Sequence, residues 1–371
     1  MIKENKSCHF LQILMALCFL AFTPLSHAGT TPIIDMHCHT AGIGAGNSGC
    51  YISPDLLSSY KFSFYLKSFY VTRKELEEYG DGLVIQRLSE KLNASKQVSC
   101  AIVLALDGVI DSTGELDYSR TEVYIPNEFV LKETNKYPNL YFGASINPYR
   151  KNALELLERY AKQGAQLIKW LPSIQYIRVN DSSIIPFYKK MIELDLPLLT
   201  HVGNEKSFSK ADNALCDPAL LELPLSLGVT VIAAHMATTG KNDGQENHER
   251  LIPMFKKYAN LYGDISSLTQ INKKKYLGEI LKHKHLHARL LYGSDMPLIN
   301  TLLVSPWYFP VKLKWKKIRE LGRVENIWDK DVELKRALGV PEEMFTNGYR
   351  LFPMSGADLP SSDARPRKTS P

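Results

Sequence analysis

Eight short runs that are apolar throughout, separated by stretches with helical spacing of their apolar residues, constrain this 371-residue chain more than anything else in it. The runs are 33–36, 98–106, 141–146, 165–171, 196–200, 229–234, 261–265 and 289–292. A strand with one wet face alternates polar and apolar residues. A strand that is apolar on both faces belongs to a parallel sheet covered on both sides. Helical patterns at 75–92, 127–135, 152–163, 184–194, 217–227, 248–258 and 273–282 fill the gaps, with Asn152, Asp217 and Asn247 placed as N-caps. Strands alternating with helices make β-α-β units, and eight of them make a (β/α)8 TIM barrel; a doubly wound open sheet is the alternative. The connections 40–74, 107–126 and 236–247 are long, and each follows a strand. They therefore fall at the C-terminal ends of the strands, where barrels of this kind carry their sites.

The two ends of the chain read differently. Lys3 and Lys6 precede an apolar stretch at 10–25, and Ser26-His27-Ala28 has the form of a cleavage site. The expectation is a signal peptide at 1–28, a barrel domain at 29–353, and export to a periplasm or outside the cell. A retained anchor is the alternative, but the apolar run is shorter than the roughly 20 residues a spanning helix needs. The segment 354–371 is rich in Ser, Pro and charge and reads as a disordered tail. Cys38, Cys50, Cys100 and Cys216 remain after cleavage; no Cys-x-x-Cys occurs, so free thiols are expected and a thiolate zinc site is not. Net charge is +6. Lys312, Lys314, Lys316, Lys317 and Arg319 surround Trp315, a run that could meet nucleic acid or an anionic membrane. A solvated helix face is the preferred reading, with no nucleic-acid partner and no stable membrane insertion. A homo-oligomer stays open.

Chemistry concentrates at the strand ends. His37 and His39 close the first run, and alternate residues of a strand point to one face, so the pair projects together as a shared metal requires. Lys169 lies in the fourth run, His201 follows the fifth, His235 the sixth and Asp295 the eighth. Each alone reads as an ordinary structural residue. Together, in a parallel barrel, they converge on one rim, and imidazoles with a carboxylate suit zinc first, then manganese, iron or nickel.

That order of residues resembles the amidohydrolase superfamily, and within it the amidohydrolase-2 branch that includes aminocarboxymuconate-semialdehyde decarboxylase. The closing Asn347-Gly348-Tyr349-Arg350-Leu351-Phe352 is similar to that branch's Asn-x-x-Arg-Leu-Phe ending. The resemblance implies a TIM barrel, one or two divalent metal ions, and a small-molecule substrate. It implies His37, His39, His201 and Asp295 as metal ligands. His235 would be a ligand to a second metal or orient the attacking water, and Asp295 would take that water's proton. Lys169 departs from the mononuclear members. It would either be carboxylated and bridge two metals, or bind a substrate anion.

Three other features bear on the site. Gly44-Ala45-Gly46-Asn47-Ser48-Gly49 matches G-x-G-x-x-G, but no helix pattern opens after it and no acidic residue follows at the expected distance, so it reads as a site loop. His283, His285 and His287 alternate in a Lys-rich stretch before the last strand and read as surface. Arg150 and Asp107 follow the third and second strands, and both are substrate-binding candidates, Arg150 for a carboxylate, with a loop salt bridge as the equal alternative for Arg150. The leading expectation is an exported metal-dependent hydrolase whose activated water attacks an amide, lactone or ester carbon. The alternatives are a non-oxidative metal-dependent decarboxylase and a non-catalytic barrel-fold binding protein.

Overall fold

The computed structural model describes residues 31–352. The expected signal peptide and tail lie outside the described residues. Eight parallel strands form the centre: β1 Ile33–His39, β2 Val98–Leu104, β3 Leu140–Gly143, β4 Ile168–Trp170, β5 Leu198–Thr200, β6 Val231–Ala233, β7 Leu261–Asp264 and β8 Leu290–Leu291. β1, β2 and β3 form one ladder and β4 to β8 another. Parallel bridges join the ladders at both seams, Ala144 with Ile168 and Cys38 with Met296. The pairing therefore runs round all eight strands in chain order, the arrangement of a (β/α)8 barrel.

The barrel interior is filled by Ile34, Ile102, Leu167, Leu199, Ile232 and Leu291, with Phe352 joining them from the C-cap of the last helix, Glu342–Leu351. Burial of each such side chain is worth about 1.5–3 kcal/mol. The Asn-x-x-Arg-Leu-Phe ending thus has a physical role: it delivers an apolar plug. A second, larger apolar layer packs between the strands and the surrounding helices.

Several connections differ from the periodicity reading. The pattern at 75–92 is two helices, Arg73–Tyr79 and Gly82–Asn93, broken where Gly80 takes a φ of 83°. The pattern at 248–258 breaks at Pro253 into Asn247–Leu251 and Met254–Lys257, because proline lacks the N–H a continuing helix needs. Asp217 caps a 3-10 turn by accepting from Ala219 N at 2.8 Å. Asn152 makes no side-chain cap, and Asn247 lies inside its helix and donates Nδ2 to Thr239 O instead. The long connection 40–74 carries helices Pro54–Ser58 and Tyr60–Ser68. Its strand Tyr51–Ile52 pairs antiparallel with Val123–Tyr124 of the second long connection, tying the two together over the barrel rim. None of the four thiols is in a disulfide among the described residues, and all four are buried.

Candidate metal centre

β1 carries an irregularity that the sequence does not announce. Between Asp35 and Cys38 its register against β2 shifts by one residue, so the alternation changes face. Ile34 and Met36 point into the barrel interior, and after the shift His37 and His39 do so while Cys38 turns to the outer layer. A bulge of this kind re-aims side chains and is common beside active sites. The two Nε2 atoms end 3.1 Å apart.

The rest of the predicted set gathers round them. Asp295 Oδ1 lies 3.6 Å from His37 Nε2 and 3.5 Å from His39 Nε2, and its Oδ2 lies 3.7 Å from His235 Nε2. Lys169 Nζ is 2.9 Å from His37 Nε2. The His201 and His235 rings meet edge-on, 5.4 Å between centroids. Ligand atoms of His37, His235 and Asp295 all fall within 4.8 Å of one another, a potential metal site. His201 Nε2 is buried and makes no hydrogen bond among the described residues. A buried acceptor left unpaired costs free energy unless something occupies it, so this donor set fits a divalent cation.

Three residues that sequence reading missed fix the ligands from behind. Asp264, at the end of β7, accepts from His37 Nδ1 at 2.8 Å and from His235 N at 2.8 Å. Ser266 Oγ lies 2.7 Å from His235 Nδ1, and Ser267 donates to Asp295 Oδ2. Partners on Nδ1 leave each Nε2 free to face the centre. Burial raises the Asp264 carboxyl, but the neighbouring His37 and the hydrogen bonds outweigh it and hold it at about 2. Burial pushes His39, His201 and His235 below the ordinary histidine range, with Lys169 or Lys273 adding to the shift. These imidazoles are therefore unprotonated, as metal ligands must be. Burial also lowers Lys169 to about 8.

The backbone is strained at the same place. His235, Met236, Ala237, Ser267 and Asp295 all have φ between 51° and 60°. Such conformations cost about 1–3 kcal/mol each and persist where surrounding structure over-determines them. For Asp295 that structure is β1: Asp295 N donates to His37 O at 2.8 Å and Ser294 N to Asp35 Oδ1 at 2.8 Å. Glycine at 293 is required, since a Cβ there would meet His37 Cβ at 2.7 Å.

A cavity of about 340 Å³ opens above these residues. Its walls are mostly apolar, with Phe62, Phe69, Leu104, Ile125, Leu298 and Leu303 among them. Lys273, also unforeseen, lines it and is only 8% exposed. Among the described residues no hydrogen bond or ion pair engages its Nζ. Burial lowers it, while Asp295, Glu205 and Asp264 draw it back up.

Arg150 and Asp107 correct the expectation set for them. They bind each other in a two-bonded fork, Nε to Oδ2 at 2.7 Å and Nη2 to Oδ1 at 2.6 Å, and neither lines the cavity. Asp107 also accepts from Asn147 N and Gly108 N, so its oxygens are committed to the loop. The glycine-rich loop is likewise filled from within: Asp81 accepts from Ile43 N, Gly44 N and Ser48 Oγ, taking the place an anion would have. His283, His285 and His287 stand on or beside the turn Lys284–Arg289 that leads into β8, away from the strand ends.

Comparison with known proteins bears on the family and the fold. The amidohydrolase family model matches residues 104–307. Comparison with the curated proteins returns no match. Among solved structures, an uncharacterised TIM-barrel protein from Bordetella bronchiseptica is 14% identical, with a TM-score of 0.52 over 86% of this chain and 98% of that one. A Pseudomonas putida protein assigned as a 2-pyrone-4,6-dicarboxylic acid hydrolase is 14% identical, with a TM-score of 0.50 over 87% and 98%. The 5-carboxyvanillate decarboxylase of Sphingomonas paucimobilis is 12% identical, with a TM-score of 0.50 over 88% and 100%. At these identities the likeness is one of fold.

Proposed function

This chain belongs to the amidohydrolase superfamily, in its amidohydrolase-2 branch, and from that premise we propose that it is an exported hydrolase of a small anionic molecule, dependent on zinc. The observation that carries the reading is the Asp295 carboxylate, set within 3.5–3.7 Å of three histidine Nε2 atoms at the floor of the cavity. His37, His39, His201, His235 and Asp295 would hold the ion. A bound divalent ion lowers the pKa of a water from about 16 toward 7 and polarises a carbonyl oxygen. Asp295 accepts the proton that water gives up on attacking an amide, lactone or ester carbon, then returns it to the leaving group. Ser267 holds Asp295 Oδ2, which leaves Oδ1 toward the reacting centre. His235, fixed through Nδ1 by Ser266, orients the nucleophile.

Lys273 supplies the charge that Arg150 cannot. An unpaired ammonium inside an apolar-walled cavity is costly until an anion arrives, so the substrate carries a carboxylate or similar group beside an apolar body. The substrates named for two of the structural relatives, a pyrone dicarboxylate and carboxyvanillate, are of that kind. Lys169, 2.9 Å from His37 Nε2, is suited to carry a carbamate: carbon dioxide adds to its neutral Nζ with loss of one proton, and the product is an anion in place of a cation beside the ligands.

A second reading has its own observation. His37, His235 and Asp295 alone make a cluster for one ion, and a decarboxylase needs no more. Zinc- and manganese-loaded protein offered lactones, N-acyl compounds and aromatic carboxylates separates the two. Uptake of water into product supports hydrolysis; release of carbon dioxide from a carboxylate supports decarboxylation. No turnover of any of them by protein that retains metal supports a binding protein instead.

A further inference from the structure

The basic run near the C-terminus is not a plain solvated helix face. Residues 302–319 contain five basic residues, Lys312, Lys314, Lys316, Lys317 and Arg319, and no acidic one. Lys317 pairs with Glu333 at 3.5 Å. Among the described residues the other four make no ion pair. Between and beside them stand large apolar side chains that nothing covers: Val311 is 98% exposed, Leu302 82%, Trp315 60% and Trp307 52%. The two indole rings lie 5.9 Å apart. This surface rests on a small core of its own, Phe309, Leu313, Ile318, Leu321 and Leu334, so the exposed groups project from a packed base.

Large apolar side chains left exposed together mark interaction sites. Tryptophans flanked by lysines have one partner whose chemistry matches both halves. The headgroup region of an anionic bilayer takes indole rings at the level of the acyl boundary and lysines at the phosphates. A second copy of the chain would bring like charges together. We infer that the face formed by Leu302, Trp307, Val311, Lys312, Lys314 and Trp315 docks this enzyme on an anionic membrane surface. The contact is peripheral; no helix among the described residues is long and apolar enough to cross a membrane. It also adjoins the cavity. Ile271 N donates to Leu303 O at 2.9 Å, and Leu303 lines the cavity one residue from Leu302. Docking would set the mouth near the bilayer.

The chain reports this itself. Of its four tryptophans, Trp170 and Trp328 are fully buried, so a change in emission on docking comes from Trp307 and Trp315. The experiment titrates the full chain with vesicles of phosphatidylglycerol and phosphatidylcholine, and with pure phosphatidylcholine, at low and high salt. Expected is a blue shift with the anionic vesicles only, weakened by salt. Replacing Lys312 and Lys314 by Ala should lower the vesicle affinity roughly 25-fold, at about fivefold per lysine. Val311→Asp should do so without removing a cation, and both variants should keep the wild-type circular dichroism and turnover of a soluble substrate. An unchanged emission spectrum overturns the inference. So does a shift produced by duplex DNA and not by vesicles, or by self-association that buries the tryptophans.

Discussion

Asp264 grips His37 through its Nδ1 at 2.8 Å and, with its other oxygen, the backbone N of His235 at 2.8 Å, so one carboxylate sets two of the ligand positions. Asp264→Asn keeps the shape and loses the charge that fixes the His37 tautomer. Metal affinity, measured by competition with a chelating dye, should fall about 10–100-fold, the usual cost of losing such a partner. Full affinity in the variant would mean that Asp264 serves the fold alone.

Lys273 is predicted to read the substrate's charge. Lys273→Ala should raise KM for a carboxylate substrate by about 10–100-fold, the worth of one charged hydrogen bond, with little effect on its neutral amide analogue. Lys273→Arg should recover part of the loss. Equal effects on both substrates would place Lys273 in the packing instead.

Arg150 is predicted to matter for stability and not for turnover. Arg150→Ala leaves Asp107 buried without its counter-charge, and breaking such a pair costs about 3–5 kcal/mol. Urea unfolding should show that loss, while kcat/KM of the folded variant should stay at the wild-type value. A large rise in KM for carboxylates would return Arg150 to the substrate.

The histidines set a pH dependence whose sign follows from burial. His39, His201 and His235 have lower pKa values folded than unfolded, so the unfolded chain binds more protons below the ordinary imidazole value near 6.5. Metal-free protein should therefore lose stability as pH falls below about 6.5. The loss should continue until the folded imidazoles themselves protonate, near 4 for His201. Thermal unfolding in chelator at pH 7 and pH 5 measures it, and His201→Asn should shallow the slope. A flat profile would contradict the burial argument.

The sequence made much of this legible and hid the rest for definable reasons. His37, His39, Lys169, His201, His235 and Asp295 were readable because each lies in or just after an apolar run, and parallel strands bring such positions to one rim. The bulge that aims His37 and His39 was not, since period two alone puts Met36 and Cys38 on a common face. Asp264 carried a signal that could have been used, a carboxylate closing a buried strand. Lys273 did not, because Lys273-Lys274-Lys275 has the pattern of a wet helix start. For Arg150 a salt bridge and a substrate carboxylate stayed level, because pairing between loops leaves no trace in spacing. The helix at 75–92 was drawn whole because its apolar period carries on across Gly80.

His37, His39, His201, His235 and Asp295 are predicted to hold a metal at the barrel rim. The most direct test is diffraction from zinc-loaded crystals at the zinc absorption edge. The prediction is one or two anomalous peaks at about 2.0–2.2 Å from the histidine Nε2 and Asp295 oxygen atoms, lost in His37→Ala and Asp295→Asn. No peak at that position, or a peak only beside His283 and His285, would contradict it.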